Sequence, residues 1–279
     1  MSKYLSSAAI EEFGDEVKHD YQAEGSVVRS CVRVKNGVVG SSYKFPTMGK
    51  GIATPRIPQT DVIPMGVSHA KVQATLTDWN APEYTDVFDE AKTNVDERSN
   101  LSYTIGSALG RRDDQQLMDA FDAATLSLTV AHGSANLTTA KFRGAKKLQD
   151  AGNVPMNPRY ALIHANNLYA MLGDSDANTF DKNAVKALVD GELTKWLGYE
   201  IKTVGDRDEG GLVISTNIRS TYFFHGGPRG CVGLAVGIDI RTEVNYIAEK
   251  TSWLANGLYS SGAVVIDPLG AVEVFCDES

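Results

Sequence analysis

The sequence predicts an α+β protein, and three observations carry that prediction. Strand-like alternation near the start is interrupted by a long proline- and glycine-rich stretch. A helical periodicity of about forty residues comes next. Alternating helix and strand signals then give way to a strand-rich tail.

Residues 1–25 are polar and acidic, with a short helix signal near Ala8 to Phe13. Such an arm is held only where a partner holds it. Ser26 to Val34 alternates through Val28, Ser30, Val32 and Val34, which is a strand period. Asn36-Gly37 is a hairpin signal, because both central positions of the turn tolerate positive φ. Val38 to Phe45 returns as the second strand. Pro46, Gly49, Gly51, Pro55, Pro58 and Pro64 then exclude both a helix and a central strand. Alternation resumes from Val67 to Leu76. The stretch 26–76 thus reads as a long two-stranded excursion with an irregular tip poor in core residues. A lone hairpin is marginal in water, so it should lie on something else.

Asp78 and Asn80 precede a helical segment over roughly 86–125. Apolar residues recur at Val87, Phe88, Ala91 and Val95, at Leu101, Ile105, Ala108 and Leu109, and at Leu117, Ala120, Phe121 and Ala124. This spacing marks one face of a helix. A straight helix of that length would span ~60 Å. Gly106, Gly110 and the polar block Arg111 to Gln116 are the expected places for a kink.

Beyond Gly133 the predicted elements are a helix from Thr138 to Ala151, capped by Thr138 and ended by Gly152, and a strand from Arg159 to His164. Short helices follow at Asn166 to Leu172 and Asp181 to Val189, ended by Gly173 and Gly191. Strands are predicted at Leu212 to Thr216, Thr221 to His225, Gly237 to Tyr246, Gly257 to Ile266 and Ala271 to Phe275. There is no internal repeat.

The chain has 279 residues with a formal charge of −8, which argues against coating onto phosphate by bulk positive charge. That charge is uneven. Residues 31–75 carry six bases against Asp61 alone, whereas residues 76–131 carry eleven acids against four bases. Both segments can be solvated faces. Alternatively, they attract each other between copies of the chain, where complementary charge steers association and fixes register.

Chemistry is sparse. No GxSxG elbow is present, and Gly49-Lys50-Gly51 lacks the remaining glycines of a phosphate loop or dinucleotide fingerprint. His225-Gly226-Gly227 reads as a turn after a strand. His19, His69, His132, His164 and His225 show no metal-ligand spacing. Asp174, Asp176 and Asn178 resemble part of a calcium loop, but Val185 stands where the bidentate Glu belongs and Thr179 where the Gly belongs. Cys31, Cys231 and Cys276 lie far apart, which suits a reducing compartment and no disulfide framework. Base-stacking aromatics interleaved with Lys and Arg are missing, so a specific nucleic-acid reader is disfavoured. No cofactor and no catalytic or metal site is expected. The longest apolar stretch, Cys231 to Ile238, falls well short of the ~20 residues of a membrane span. The chain start shows no secretory pattern.

Four local runs complete the picture. Ala145-Lys-Lys-Leu-Gln-Asp-Ala-Gly-Asn-Val-Pro155 leads into Arg159-Tyr-Ala-Leu-Ile-His164. Leu168-Tyr169-Ala-Met-Leu172 follows. The third run is Gly191-Glu-Leu-Thr-Lys-Trp-Leu-Gly-Tyr-Glu-Ile201, and the fourth is Ser261-Gly262-Ala-Val-Val-Ile-Asp-Pro268 to Val274. In this order, over nearly the whole chain, they resemble the major capsid proteins of tailed phages with the Hong Kong 97-type capsid fold. The resemblance implies an N-terminal arm (1–30), an extended β-hairpin E-loop (31–75), a P domain split between 76–135, with its long spine helix, and 233–279, and an α/β A domain (136–232). It also implies hexamers and pentamers in an icosahedral head that holds double-stranded DNA, contacted non-specifically, with assembly in the bacterial cytoplasm and localisation to the virion. A portal and a separate scaffolding protein are the partners expected, since about 25 residues precede the E-loop. No membrane is involved, and no Lys–Asn crosslink is expected.

In that family the E-loop lies across a neighbouring subunit. The inter-subunit candidates are therefore Arg33, Lys35, Lys44, Lys50, Arg56 and Lys71 on the arm, and Asp86, Asp89, Glu90, Asp96 and Glu97 on the spine. Two other readings stand beside this one. An encapsulin-type bacterial compartment shares the fold. An α/β enzyme would need a site near Asp174 to Asp181 or His225, and no nucleophile–base pair supports it.

Overall fold

The computed structural model describes residues 25–90, 97–174, 195–206, 209 and 211–279. β1 (Arg33–Lys35), β2 (Ser42–Met48), β3 (His69–Thr75) and β4 (Thr77–Asp86) come first. α1 (Val87–Glu90), α2 (Glu97–Ala123), β5 (Thr129–Val130), α3 (Thr139–Ala151), β6 (Arg159–His164) and α4 (Ala165–Leu172) follow. The remainder holds β7 (Lys195–Trp196), β8 (Tyr199–Val204), β9 (Ile214–Ser215), β10 (Ile218–His225), β11 (Val232–Ile247), β12 (Ser252–Val265) and β13 (Ala271–Asp277).

These strands form three sheets. A four-stranded sheet has the order β1-β11-β12-β4, and α2 packs across it. A seven-stranded sheet runs β5-β13-β10-β6-β8-β7, with β9 on β10. β2 and β3 pair only with each other.

β10 shows how the layers share one interior. Seven of its eight residues are buried, so both of its faces must be covered. Tyr222 and Phe224 point into the core beneath the end of α2, where Phe121 stacks on Tyr222 with ring centroids 4.8 Å apart. Phe223 points the opposite way, into a core under α3, and meets Phe142 edge-on at 4.7 Å. Strand alternation thus ties the two cores together through one backbone.

The predicted helix from Thr138 to Ala151 is present with its cap: the Thr138 hydroxyl accepts from Lys141 N at 3.3 Å. The strand 159–164, the short helix before Gly173 and the tail strands also form as expected. The predicted strand over 212–216 contracts to β9. The helix expected at 181–189 lies outside the described residues.

Three expectations are corrected. Ser26 to Val34 does not pair with Val38 to Phe45. β1 instead runs parallel to β11 (Arg33↔Gly233, Lys35↔Ala235), and the hairpin is β2 with β3. Gly37 does adopt the positive φ of a turn (+69°), but the chain there crosses to the hairpin rather than folding back. The stretch 77–86 is an edge strand rather than a lead into a helix, and Pro82 is tolerated because an edge strand has a face with no partner.

The third correction concerns the spine. α2 runs unbroken for 27 residues, ~40 Å, through Gly106, Gly110 and the polar block. It is not broken there, because side chains of the block have partners. Tyr259 OH donates to Asp113 at 2.5 Å, and Ser261 Oγ lies 2.5 Å from Gln116 Oε1. Asp114 accepts from Ser26 Oγ and from the backbone N–H groups of Val27 and Val28, both at 3.0 Å. A Cβ on Gly110 would sit 2.6 Å from Gly25 Cα, so glycine is what lets the root of the arm lie against the helix.

Candidate assembly surfaces

The β2–β3 hairpin, the predicted E-loop, is anchored at its root and open at its tip. Phe45 on β2 and Ala74 on β3 are buried with Ala235 and Ile266. The Arg33 guanidinium lies 5.5 Å over the Phe45 ring, and Tyr43 meets that ring edge-on. Backbone bonds from Val38 N to Val236 O (3.0 Å) and from Leu76 N to Ser41 O (2.9 Å) close the base. Beyond Gly49 N to Ser68 O (2.8 Å) no strand continues.

The tip between them is not poor in core residues. It displays Ile52 (80% exposed), Ile57, Val62 (92% exposed), Ile63 and Met65. Five large apolar side chains in one exposed loop form a surface that a monomer gains nothing by presenting. Each buried against a neighbour contributes ~1.5–3 kcal/mol.

The basic candidates follow the same geometry. Lys44 and Lys71 lie on the hairpin strands, Lys50 and Arg56 in the tip, and Arg33 and Lys35 on β1. All but Arg33 are exposed. Among the described residues none of the six is ion-paired with a carboxylate.

The acidic candidates are only partly placed. Asp86 ends β4 and accepts from Phe88 N at 2.7 Å, at the start of α1. Asp89 and Glu90 lie on α1 and Glu97 begins α2, but their side chains are outside the described residues, as is Asp96 altogether. The acidic segment as a whole is also less available than its charge suggests. Asp113 and Asp114 are buried inside their own chain, and Asp78 takes a bond from Ser260 Oγ at 2.6 Å.

Burial raises the Asp113 carboxyl to about 6, opposed by the Tyr259 hydrogen bond and by Arg29. Arg29 makes a two-pronged bond to Asp239 at 2.9 and 3.0 Å. The arm root, the spine helix and the β11–β12 hairpin therefore meet in one polar cluster. Sequence reasoning read the same block as a break. The available signal was the pair of adjacent aspartates on the apolar side of an otherwise amphipathic helix.

Arg159, in the first of the sequence runs, is 2% exposed. It binds Asp150 Oδ1 (2.7 Å), Pro155 O (2.9 Å) and Val154 O (2.6 Å), and so holds the turn that joins α3 to β6. No described group of His, Cys, Asp and Glu is arranged to hold a metal ion. All three cysteines are free and buried. Among the described residues no helix is long and apolar enough to cross a membrane.

The sequence matches the model of the phage capsid protein family over residues 5–278. The chain belongs to the phage capsid protein family. Solved structures agree on the fold. The capsid of cyanophage P-SCSP1u superimposes with a TM-score of 0.75 at 19% identity, covering 100% of this chain and 96% of that one. The capsid of Ralstonia phage GP4 gives 0.74 at 9% identity over 98% and 96%. The head of Helicobacter pylori bacteriophage KHP40 gives 0.73 at 11% over 96% and 95%. No curated protein matches the sequence. The fold is of the Hong Kong 97 type, and the protein is a virion shell component that works in many copies.

Proposed function

We propose that copies of this chain close into hexamers and pentamers of an icosahedral head, with the E-loop of one copy laid across the spine region of the next. The observation that carries this is the E-loop tip, where exposed apolar side chains stand beside Lys50 and Arg56, which have no carboxylate partner among the described residues. Apolar burial supplies the affinity of such a contact, and complementary charge sets its register. Lys44, Lys50, Arg56 and Lys71 are the arm's contribution, with Arg33 and Lys35 at its base. Asp86, Asp89, Glu90, Asp96 and Glu97 are the spine's.

In this reading the arm is 1–30, the E-loop 31–75, the P domain 76–135 with 233–279, and the A domain 136–232. Sheet pairing crosses that division twice, where β13 pairs with β10 and where β1 pairs with β11. The shell is structural rather than catalytic. It encloses double-stranded DNA that it contacts without sequence preference, and it is built in the host cytoplasm with a portal and a separate scaffolding protein. The family match favours this over an encapsulin-type compartment or an α/β enzyme.

The test is to delete residues 46–64 and image the purified chain by negative stain. Normal shells at normal yield would overturn the assembly role of the E-loop. Charge reversal of Lys44, Lys50 and Arg56 should weaken assembly at low salt, with partial rescue when the spine acids are reversed as well.

A further inference from the structure

A cleft of about 780 Å³ opens beside the outer half of β2, between that strand, the 152–158 turn and the 226–231 turn. Its floor is apolar, with Pro46, Met48, Pro155, Pro158 and Leu269. Its charged lining is Arg33, Lys50 and Arg229 against Asp267 alone. Asp267 is committed to its own turn, accepting from Leu269 N at 3.0 Å. A shallower groove lined by Arg29 and Lys35 shares Arg33 and Pro228 with the cleft and extends it toward the root of the arm. Arg29 is paired with Asp239, but among the described residues Arg33, Lys35, Lys50 and Arg229 have no carboxylate partner.

His225 adds a second, independent sign of an occupant. It lines the cleft at 7% exposure, and its Nδ1 is buried with no hydrogen-bond partner among the described residues. An imidazole nitrogen can donate to a carboxylate or accept from a peptide N–H. A cleft that offers cations on its rim, an apolar floor and one open buried imidazole nitrogen fits an extended acidic peptide that carries an aromatic residue.

We propose that this cleft seats the chain's own acidic arm, with Glu11, Glu12, Asp15 and Glu16 facing the cations and Phe13 on the apolar floor. Charge supports the match: residues 1–24 hold six acids against Lys3 and Lys18. So does the tether. The arm joins the described chain at Gly25, four residues before Arg29 at the groove, and the nine residues from Glu16 to Gly25 can span ~30 Å. A segment tied so close is present at an effective concentration of about millimolar, which favours it over the same segment of another copy. Seated there, the arm joins the outer half of β2 to the 152–158 turn and sets the direction in which the hairpin leaves the body.

The full-length chain carrying Glu12→Cys and Met48→Cys tests this under mild oxidation, with the unaltered chain as the control for its three buried cysteines. The expected product is a disulfide within one chain, seen as a faster band on a non-reducing gel. It should diminish in high salt and be lost with Lys50→Glu and Arg229→Glu. Adding Glu11→Lys and Glu16→Lys to that variant should restore it, which separates lost attraction from lost folding. Absence of the product in the chain with its native charges would overturn the proposal. So would a disulfide formed only between chains when the two single-cysteine variants are mixed.

Discussion

The middle of α2 and the tip of the E-loop invert the usual placement of residue types. On α2, Asp113 and Asp114 are buried at 0% and 1% exposure. At the tip, Ile52 and Val62 stand 80% and 92% exposed. The buried charges have donors from the arm root and from β12, whereas the exposed apolar residues are covered by none of the described residues. Polar groups inside are tolerable when they are hydrogen-bonded, and apolar groups outside are useful when another molecule covers them. The first region therefore serves the subunit, and in the proposed shell the second serves the assembly.

The sharpest way to break this contrast is Asp114→Ala. It leaves the Ser26 hydroxyl and the Val27 and Val28 N–H groups without their acceptor. The expected loss is ~3–5 kcal/mol of subunit stability, read by urea denaturation. Amide exchange at Val27 and Val28 should speed up at the same time. Unchanged stability would mean that the arm root is not held by the spine.

Asp113→Asn sharpens the comparison through pH. The Asp113 carboxyl titrates at about 6 in the folded chain against 3.8 when free. Its folded state therefore binds a proton more tightly, and its contribution is greatest in acid and lost as pH rises through about 6. At pH ~7.5 the buried group is ionised, and the Asn variant should be more stable by ~1–3 kcal/mol. That advantage should shrink as pH falls toward ~5. A gap that stays constant across this range would show that Asp113 is not the titrating group.

Gly257→Ala probes the packing that keeps the polar block dry. A Cβ there would run into Ile105 Cγ2 and Leu109 Cδ1 on the helix. Both are side-chain ends that can shift, so the expected cost is ~1–3 kcal/mol in the denaturation midpoint. The smallest effect on the subunit should come from the tip. Replacing Ile52, Val62 and Ile63 with Ser should move subunit stability by less than ~0.5 kcal/mol, because none of the described residues covers them. The same variant should fail to form shells under the electron microscope. A stability loss comparable to that of Asp114→Ala would place the tip in the subunit core and remove the contrast.

Much of this fold was legible in the sequence because periodicity and caps are local. Thr138 and Gly152 bound a helix that forms where they mark it, and Arg159 to His164 forms the strand expected of it. The basic E-loop and its irregular tip were legible from charge and proline. Pairing was not. The Asn36-Gly37 signal named a turn but not the strands it would join, since β1 finds β11 about two hundred residues away.

The sequence by itself determined the element types, the uneven charge and a chain without an evident catalytic constellation. It did so because each depends on neighbours within a few residues. Only the tertiary structure decided which polar residues are interior and which apolar residues are left outside. The Arg111–Gln116 block looks like a helix break when read alone. It becomes continuous helix because Tyr259, Ser261 and the arm root arrive from distant parts of the chain to satisfy its side chains. Burial is a property of what packs on a residue, and that is settled by contacts the local pattern does not contain.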